Sequence, residues 1–237
     1  MVQFATFNRL AELSEDQWGL ITRSQARNAG IPPTTLARLT ARGQILERVS
    51  HGVYRLVGSS PTDHLELRAA WLQLAPSTPA WARKPEQGVI SHRSAASLYG
   101  LGDLPSDRHE FTVGDRKQSR RRDVRLHRRT LRCDEWRMLR GLPVTTPART
   151  AVDLLLEHEE PDAVGQVIAD ALRKSLEEPS SFVHALAPRA SLLGFRRDNG
   201  LGALKWLLEL TADTEAARWL QVAAKGDRAS SAPKAAP

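Results

Sequence analysis

The sequence predicts an α+β fold: an N-terminal winged helix-turn-helix, then a mixed α/β domain, then C-terminal helices. Three observations predict it. Residues 8–58 read in order as helix, helix, helix and hairpin. From about residue 88 to 158, short apolar strand-like segments alternate with helical ones. Residues 162–175 place Val164, Val167, Ile168, Ala171 and Leu172 on one helical face. The expected boundaries are 1–58 for the winged helix, 62–158 for the α/β domain, 159–224 for the helical segment and 225–237 for a disordered tail.

The winged helix justifies itself element by element. Thr22-Arg23-Ser24-Gln25 has the form of a capping box, in which a threonine hydroxyl and a glutamine amide satisfy each other's free backbone donors. The short helix that follows packs through Ala26 and Ala29 and stops at Gly30, with Ile31 as the buried pin of the turn. Pro33 suits the first position of a second helix running to Arg42. On that helix Leu36, Leu39 and Thr40 share one side, whereas Thr34, Ala37, Arg38, Ala41 and Arg42 share the other, with Thr35 at its margin. An acid-free face of arginine, threonine and small residues is the composition of a helix that reads DNA. Gln44–Val49 and Val53–Val57 then form a hairpin around Ser50-His51-Gly52, the wing. The DNA-contacting residues expected here are Arg23, Thr34, Thr35, Arg38, Arg42, Arg48, His51 and Arg55.

Gly58-Ser59-Ser60-Pro61 reads as a linker, and Leu67, Trp71 and Leu74 mark a helix after it. Gly88–Ile90, His109–Val113 and Val124–Arg129 read as strands, and Ser91 as the cap of a helix through Tyr99 that Gly100 stops. Thr146-Pro147 opens a helix carrying Val152 and Leu155, and a further helix spans about Leu201–Leu210.

Composition sets the class. The 237 residues, 41% of them hydrophobic, suffice for real cores and exclude wholesale disorder. Cys133 is the sole cysteine, so no intrachain disulfide forms and a reducing, cytoplasmic setting is expected. No run of about eighteen apolar residues predicts a membrane span, and Met1–Phe7 lacks the basic and apolar regions of a secretory leader.

The net charge of +7 matters less than its placement. Between Arg23 and Arg55 six arginines face a single acid, Glu47. Between Arg116 and Arg140 eleven basic residues face three acids. The densest part of that second zone, Arg116, Lys117, Arg120, Arg121 and Arg122, reads either as a solvated loop between strands or as a second nucleic-acid surface that Arg125, Arg128 and Arg129 extend along a strand. His127 reads as a strand residue, since nothing around it has metal-site spacing.

Here a resemblance becomes specific. Gly19-Leu20-Ile21-Thr22-Arg23-Ser24-Gln25-Ala26, Ala29-Gly30-Ile31, Thr35-Leu36-Ala37-Arg38-Leu39 and Arg48-Val49-Ser50-His51-Gly52-Val53-Tyr54 resemble the N-terminal domain of AbiEi-type antitoxins of type IV toxin–antitoxin systems. Pro32 departs from it, standing where a capping serine is expected. Ile90-Ser91-His92-Arg93-Ser94-Ala95-Ala96, Tyr99-Gly100-Leu101, Val124–Arg128 and Gly141–Arg149 resemble the C-terminal region of the same family. The resemblance implies a repressor that binds repeated operator sites in double-stranded DNA. It further implies an antagonist of a nucleotidyltransferase toxin that acts without a stable complex. A stand-alone transcriptional regulator is the alternative.

No enzyme is expected. There is no phosphate-binding loop ending in Gly-Lys-Ser/Thr, no HExxH and no GxSxG, and Gly200-Leu201-Gly202 has no strand to frame it. The best enzymatic lead is Asp107 with Asp115-Arg116-Lys117, a pattern used by metal-dependent nucleases, which need several carboxylates around a divalent ion. No cofactor and no resident metal are expected.

Overall fold

The computed structural model describes residues 2–41, 43–119 and 121–231, with side-chain surroundings for 4–41, 43–119 and 121–226. Contacts divide the chain into two compact units, Met1–Gly88 with Val113–Thr130, and Val89–Thr112 with Leu131–Pro237.

The first unit opens with α1 (Val2–Glu15), β1 (Leu20–Thr22), α2 (Arg23–Asn28), α3 (Pro33–Ala41), β2 (Leu46–Ser50) and β3 (Val53–Leu56). The strands form an antiparallel sheet in the order β1-β3-β2, with Leu20 opposite Arg55 and Arg48 opposite Tyr54. Leu10, Ile21, Ala26, Ile31, Leu36, Leu39, Leu46 and Leu56 pack as one apolar cluster. This is a winged helix. The capping box is formed as expected: Thr22 Oγ1 accepts from the Gln25 amide at 3.1 Å, and Gln25 Oε1 accepts from the Thr22 amide at 3.0 Å. Gly30 takes φ +77, which only glycine adopts cheaply, and Ile31 is buried with its amide on the Ala26 carbonyl at 2.9 Å. β1 escapes the sequence reading because three residues are too short to show alternation, and they run straight into the cap.

The expected linker at 58–61 does not coincide with the division between units. α4 (Leu65–Leu74) stays in the first unit, where Trp71 is buried edge-on against Trp18 at 6.0 Å and donates to the Gly88 carbonyl at 2.7 Å. Residues 76–80 are pinned to the winged helix by a buried amide pair. Gln25 Nε2 donates to Gln17 Oε1 at 2.9 Å and to the Thr78 carbonyl at 3.2 Å, and Gln17 Oε1 also accepts from the Ala80 amide at 2.9 Å. The Thr22 hydroxyl donates to the Pro76 carbonyl. Arg83 lies 4.3 Å over the Trp71 ring and donates to the carbonyls of Trp71, Leu72, Ala75 and Thr78, closing the C-terminal end of α4. Burial lowers its pKa to about 9, so it remains charged at neutral pH. β6 (Val124–Arg128) also belongs to this unit.

In the second unit β4 (Val89–Ile90), β5 (His109–Val113), β7 (Trp136–Leu139) and β8 (Leu142–Thr145) follow the order β5-β4-β8-β7. β4 runs antiparallel to β5 and parallel to β8, and β7 is antiparallel to β8. The β7–β8 hairpin turns at Arg140 and Gly141, both at positive φ, the signature of a tight primed turn. Helices α5 (His92–Tyr99), α6 (Pro147–Leu156), α7 (Pro161–Arg173), α8 (Pro179–Leu186), α9 (Gly200–Leu210) and α10 (Ala216–Ser231) complete it. Val164, Val167, Ile168, Ala171 and Leu172 are all buried, as the periodicity predicts. Thr146 caps α6, accepting from the Arg149 amide at 3.3 Å. Ser91 precedes α5 without capping it: its hydroxyl accepts from Thr112 Oγ1 at 2.9 Å and lies 2.8 Å from His92 Nδ1.

The β7–β8 hairpin and two helical segments differ from expectation. α8 was not anticipated, although Pro179 at its first position is a start signal. Helix α10 continues past residue 224, where a tail was expected. Trp219 and Ala223, four residues apart, are buried, and this burial of one face anchors an alanine-rich helix. The rest of the expected tail, 232–237, lies outside the described residues.

Candidate nucleic-acid interface

The two faces of α3 separate as the helical spacing dictates. Leu36 and Leu39 are buried, Thr34, Ala37 and Arg38 are exposed, and Thr35 is half-buried. Thr40 turns its hydroxyl back onto the Leu36 carbonyl at 2.8 Å, so it serves the helix. Pro32 supplies no side-chain cap, yet its carbonyl accepts from the amides of Thr35 and Leu36 at 3.0 and 3.2 Å. Arg42 lies outside the described residues.

Arg23 is exposed at the start of α2, and its amide donates to the Gly52 carbonyl at 2.8 Å, which joins α2 to the wing tip. Arg48 and His51 are exposed on the wing. The Arg48 guanidinium lies 3.2 Å from His51 Nδ1, and Nε reaches the Ser50 carbonyl at 3.4 Å. Because arginine has no lone pair to offer, Nδ1 is the acceptor in that pair.

Arg55 is a different case. It sits in the central strand opposite Leu20 and Glu47, and its guanidinium donates to the Ser59 and Ser60 carbonyls at 2.9 and 3.1 Å. It ties β3 to the following turn and does not flank the wing tip.

The second basic zone also divides by role. Lys117 is half-buried, donating to the Leu74 and Gln87 carbonyls at 3.1 and 3.4 Å. Burial, helped by the nearby Arg83 charge, holds its ammonium below the ordinary lysine value. Arg121 pairs with Asp123 and donates to Gln73 Oε1 at 2.6 Å. Arg116 and Arg122 are exposed, and Arg120 lies outside the described residues. Arg125 and Arg128 are exposed on β6, but an odd spacing along a strand points them to opposite faces, so they do not extend one surface together. Among the described residues Asp115 belongs to no cluster of three metal-ligating side chains, and Lys117 is engaged with carbonyls.

A family model described as "Transcriptional regulator, AbiEi antitoxin" matches residues 8–57, and one described as "AbiEi antitoxin C-terminal domain" matches residues 88–210. The chain belongs to the AbiEi antitoxin family. No curated protein matches it. Among solved structures it is similar to the RV2827C protein from Mycobacterium tuberculosis, with a TM-score of 0.52 and 16% identity over 93% of this chain and 81% of that one. At that identity the likeness speaks to fold alone.

AbiEi membership gives the second unit's motifs a physical reading. Arg149 bridges Glu135 at 2.9 Å and the fully buried Asp153 at 2.9 Å; burial pulls the guanidinium pKa down, but the two carboxylates together hold it above the ordinary arginine value. Arg93 grips Glu159 at 2.7 Å, and its amide donates to Glu110 at 3.0 Å. Arg93 and Arg149, two of the arginines in the family-like motifs, thus make structural ion pairs in this unit. Among the described residues no helix is long and apolar enough to cross a membrane.

Proposed function

We propose that this AbiEi chain is a sequence-specific DNA-binding antitoxin and transcriptional repressor that autoregulates its operon. The observation that carries the reading is α3. Its Leu36 and Leu39 are locked in the core, so Thr34 and Arg38 face outward on a rigid element, followed directly by a wing bearing Arg48 and His51. α3 enters the major groove, where Arg38 is placed for a guanine edge or a phosphate, and Arg23, Thr35 and the wing residues contact the backbone.

Family membership supports the rest of the reading. The second unit antagonises a nucleotidyltransferase toxin without forming a stable complex with it. The protein itself catalyses nothing, and its partner, operator DNA, places it in the cytoplasm. The test is retention of its own promoter fragment against a scrambled duplex. Arg38→Ala is expected to cost about 1–3 kcal/mol of specific binding. Equal retention of both duplexes by the unaltered protein overturns the reading. Co-expression with a nucleotidyltransferase encoded beside it tests antagonism, and undiminished toxicity refutes that part.

A further inference from the structure

The densest part of the second basic zone and the wing are neighbours within the first unit, joined by one side chain. Gln73, on α4, faces both. Its Nε2 donates to Ser50 Oγ at 3.3 Å and to the His51 carbonyl at the wing tip. Its Oε1 accepts from Arg121 at 2.6 Å. The loop that carries Arg121 is fixed elsewhere too. The Gly114 amide donates to the Glu86 carbonyl at 3.0 Å, Lys117 is tied to Leu74 and Gln87, and Arg121 is forked onto Asp123.

We propose that the loop Gly114–Asp123 and the wing form one phosphate-binding footprint on the same DNA duplex, with Gln73 as the positioning residue between them. The proposal rests on the winged-helix reading and adds a second backbone contact to it. Two of the loop's cations, Lys117 and Arg121, are consumed in anchoring it. Arg116 and Arg122 stay exposed and deliver the charge. Five basic residues against Asp115 and Asp123 leave the loop positive, the sign a phosphate backbone requires. The anchoring gives the loop its function in the footprint: a charged loop held beside a wing tip meets the backbone without first losing its freedom on binding.

The test uses the full chain and two duplexes, one carrying its promoter sequence and one scrambled, titrated between about 50 and 200 mM salt. For Arg116→Gln with Arg122→Gln, the slope of log affinity against log salt is expected to flatten by about two, with both duplexes weakened to the same degree. Gln73→Leu is expected to flatten the slope in the same direction while its thermal midpoint stays near that of the parent. Hydroxyl-radical footprinting of the double variant should lose protection directly beside the phosphates lost in Arg48→Gln. An unchanged slope in the double variant, while Arg38→Ala still weakens discrimination between duplexes, overturns this proposal and leaves the winged-helix reading standing. Lost protections that do not adjoin those of Arg48→Gln overturn it equally. Failure of the parent to prefer its promoter removes the reading on which both rest.

Discussion

Gln73 Oε1 accepts a 2.6 Å hydrogen bond from Arg121, forty-eight residues further along the chain, while its amide nitrogen holds the wing tip. A neutral side chain thus connects two positively charged segments that would otherwise repel. The pair Arg121–Asp123 is partly exposed, so its contribution to global stability is small, below about 1 kcal/mol. Arg121→Ala is therefore expected to leave the unfolding midpoint nearly unchanged and to accelerate hydrogen exchange of the amides around 118–123. Unaltered exchange there would show that the loop does not depend on this contact.

Arg48 and Arg55 stand seven residues apart and should separate cleanly. Arg55→Met strands the Ser59 and Ser60 carbonyls and is expected to cost about 1–2 kcal/mol of stability, without altering the salt dependence of DNA binding. Arg48→Met should do the reverse, flattening the salt slope by about one while stability stays within about 0.5 kcal/mol. Parallel denaturant melts and DNA titrations decide it; matching behaviour of the two variants would refute the assignment.

Gly165 sets two effects against each other. Alanine in a helix interior is ordinarily favoured over glycine by about 1 kcal/mol. A Cβ at Gly165, however, would meet the Leu207 carbonyl oxygen at 2.3 Å, a backbone atom that yields only if α7 and α9 part. Overpacking of that kind costs about 1–3 kcal/mol, so Gly165→Ala is expected to lower the thermal midpoint. A rise in the midpoint would mean that the helices move apart freely.

Asp170 gives the second unit an acid sensitivity with a definite sign. Burial alone would raise its pKa, but the Gly102 amide at 2.8 Å, Arg173 at 2.6 Å and Gln166 at 2.9 Å hold the carboxyl below its ordinary 3.8. The unfolded chain therefore binds this proton more readily. The stabilisation is complete above the unfolded value and drains away as pH falls through the lower folded one. Asp170→Asn should reduce stability at neutral pH and flatten the decline below about pH 4. Parallel pH–stability curves for the two proteins would argue against it.

Much of the first unit was legible because local chemistry encodes it. Thr22 and Gln25 spell a cap, Gly30 a left-handed turn, and the Leu36–Leu39 spacing a buried face. The same logic found α7. What stayed hidden depends on partners distant in sequence. Arg83 reads as one charge among many, yet it closes α4 against four carbonyls. Gln73 carries no motif, and Arg55 alternates like a wing residue while its guanidinium turns to Ser59. Strand β1 and the β7–β8 hairpin are defined by pairing, which short segments do not announce. Charge density alone located both basic zones, but gave no sign that Gln73 joins the loop to the wing.

The first unit is discontinuous along the chain, since Val113–Thr130 completes what Met1–Gly88 begins. Gene dissection has to respect that. A fragment cut at residue 58 or 88 encodes α3 and the wing, yet omits Arg121 and the Lys117 that rests on the Leu74 and Gln87 carbonyls. Such a fragment would measure a reader deprived of part of its own frame. Weak operator binding by it would reflect where the scissors fell; the shortest continuous piece that holds the whole first unit runs through Thr130.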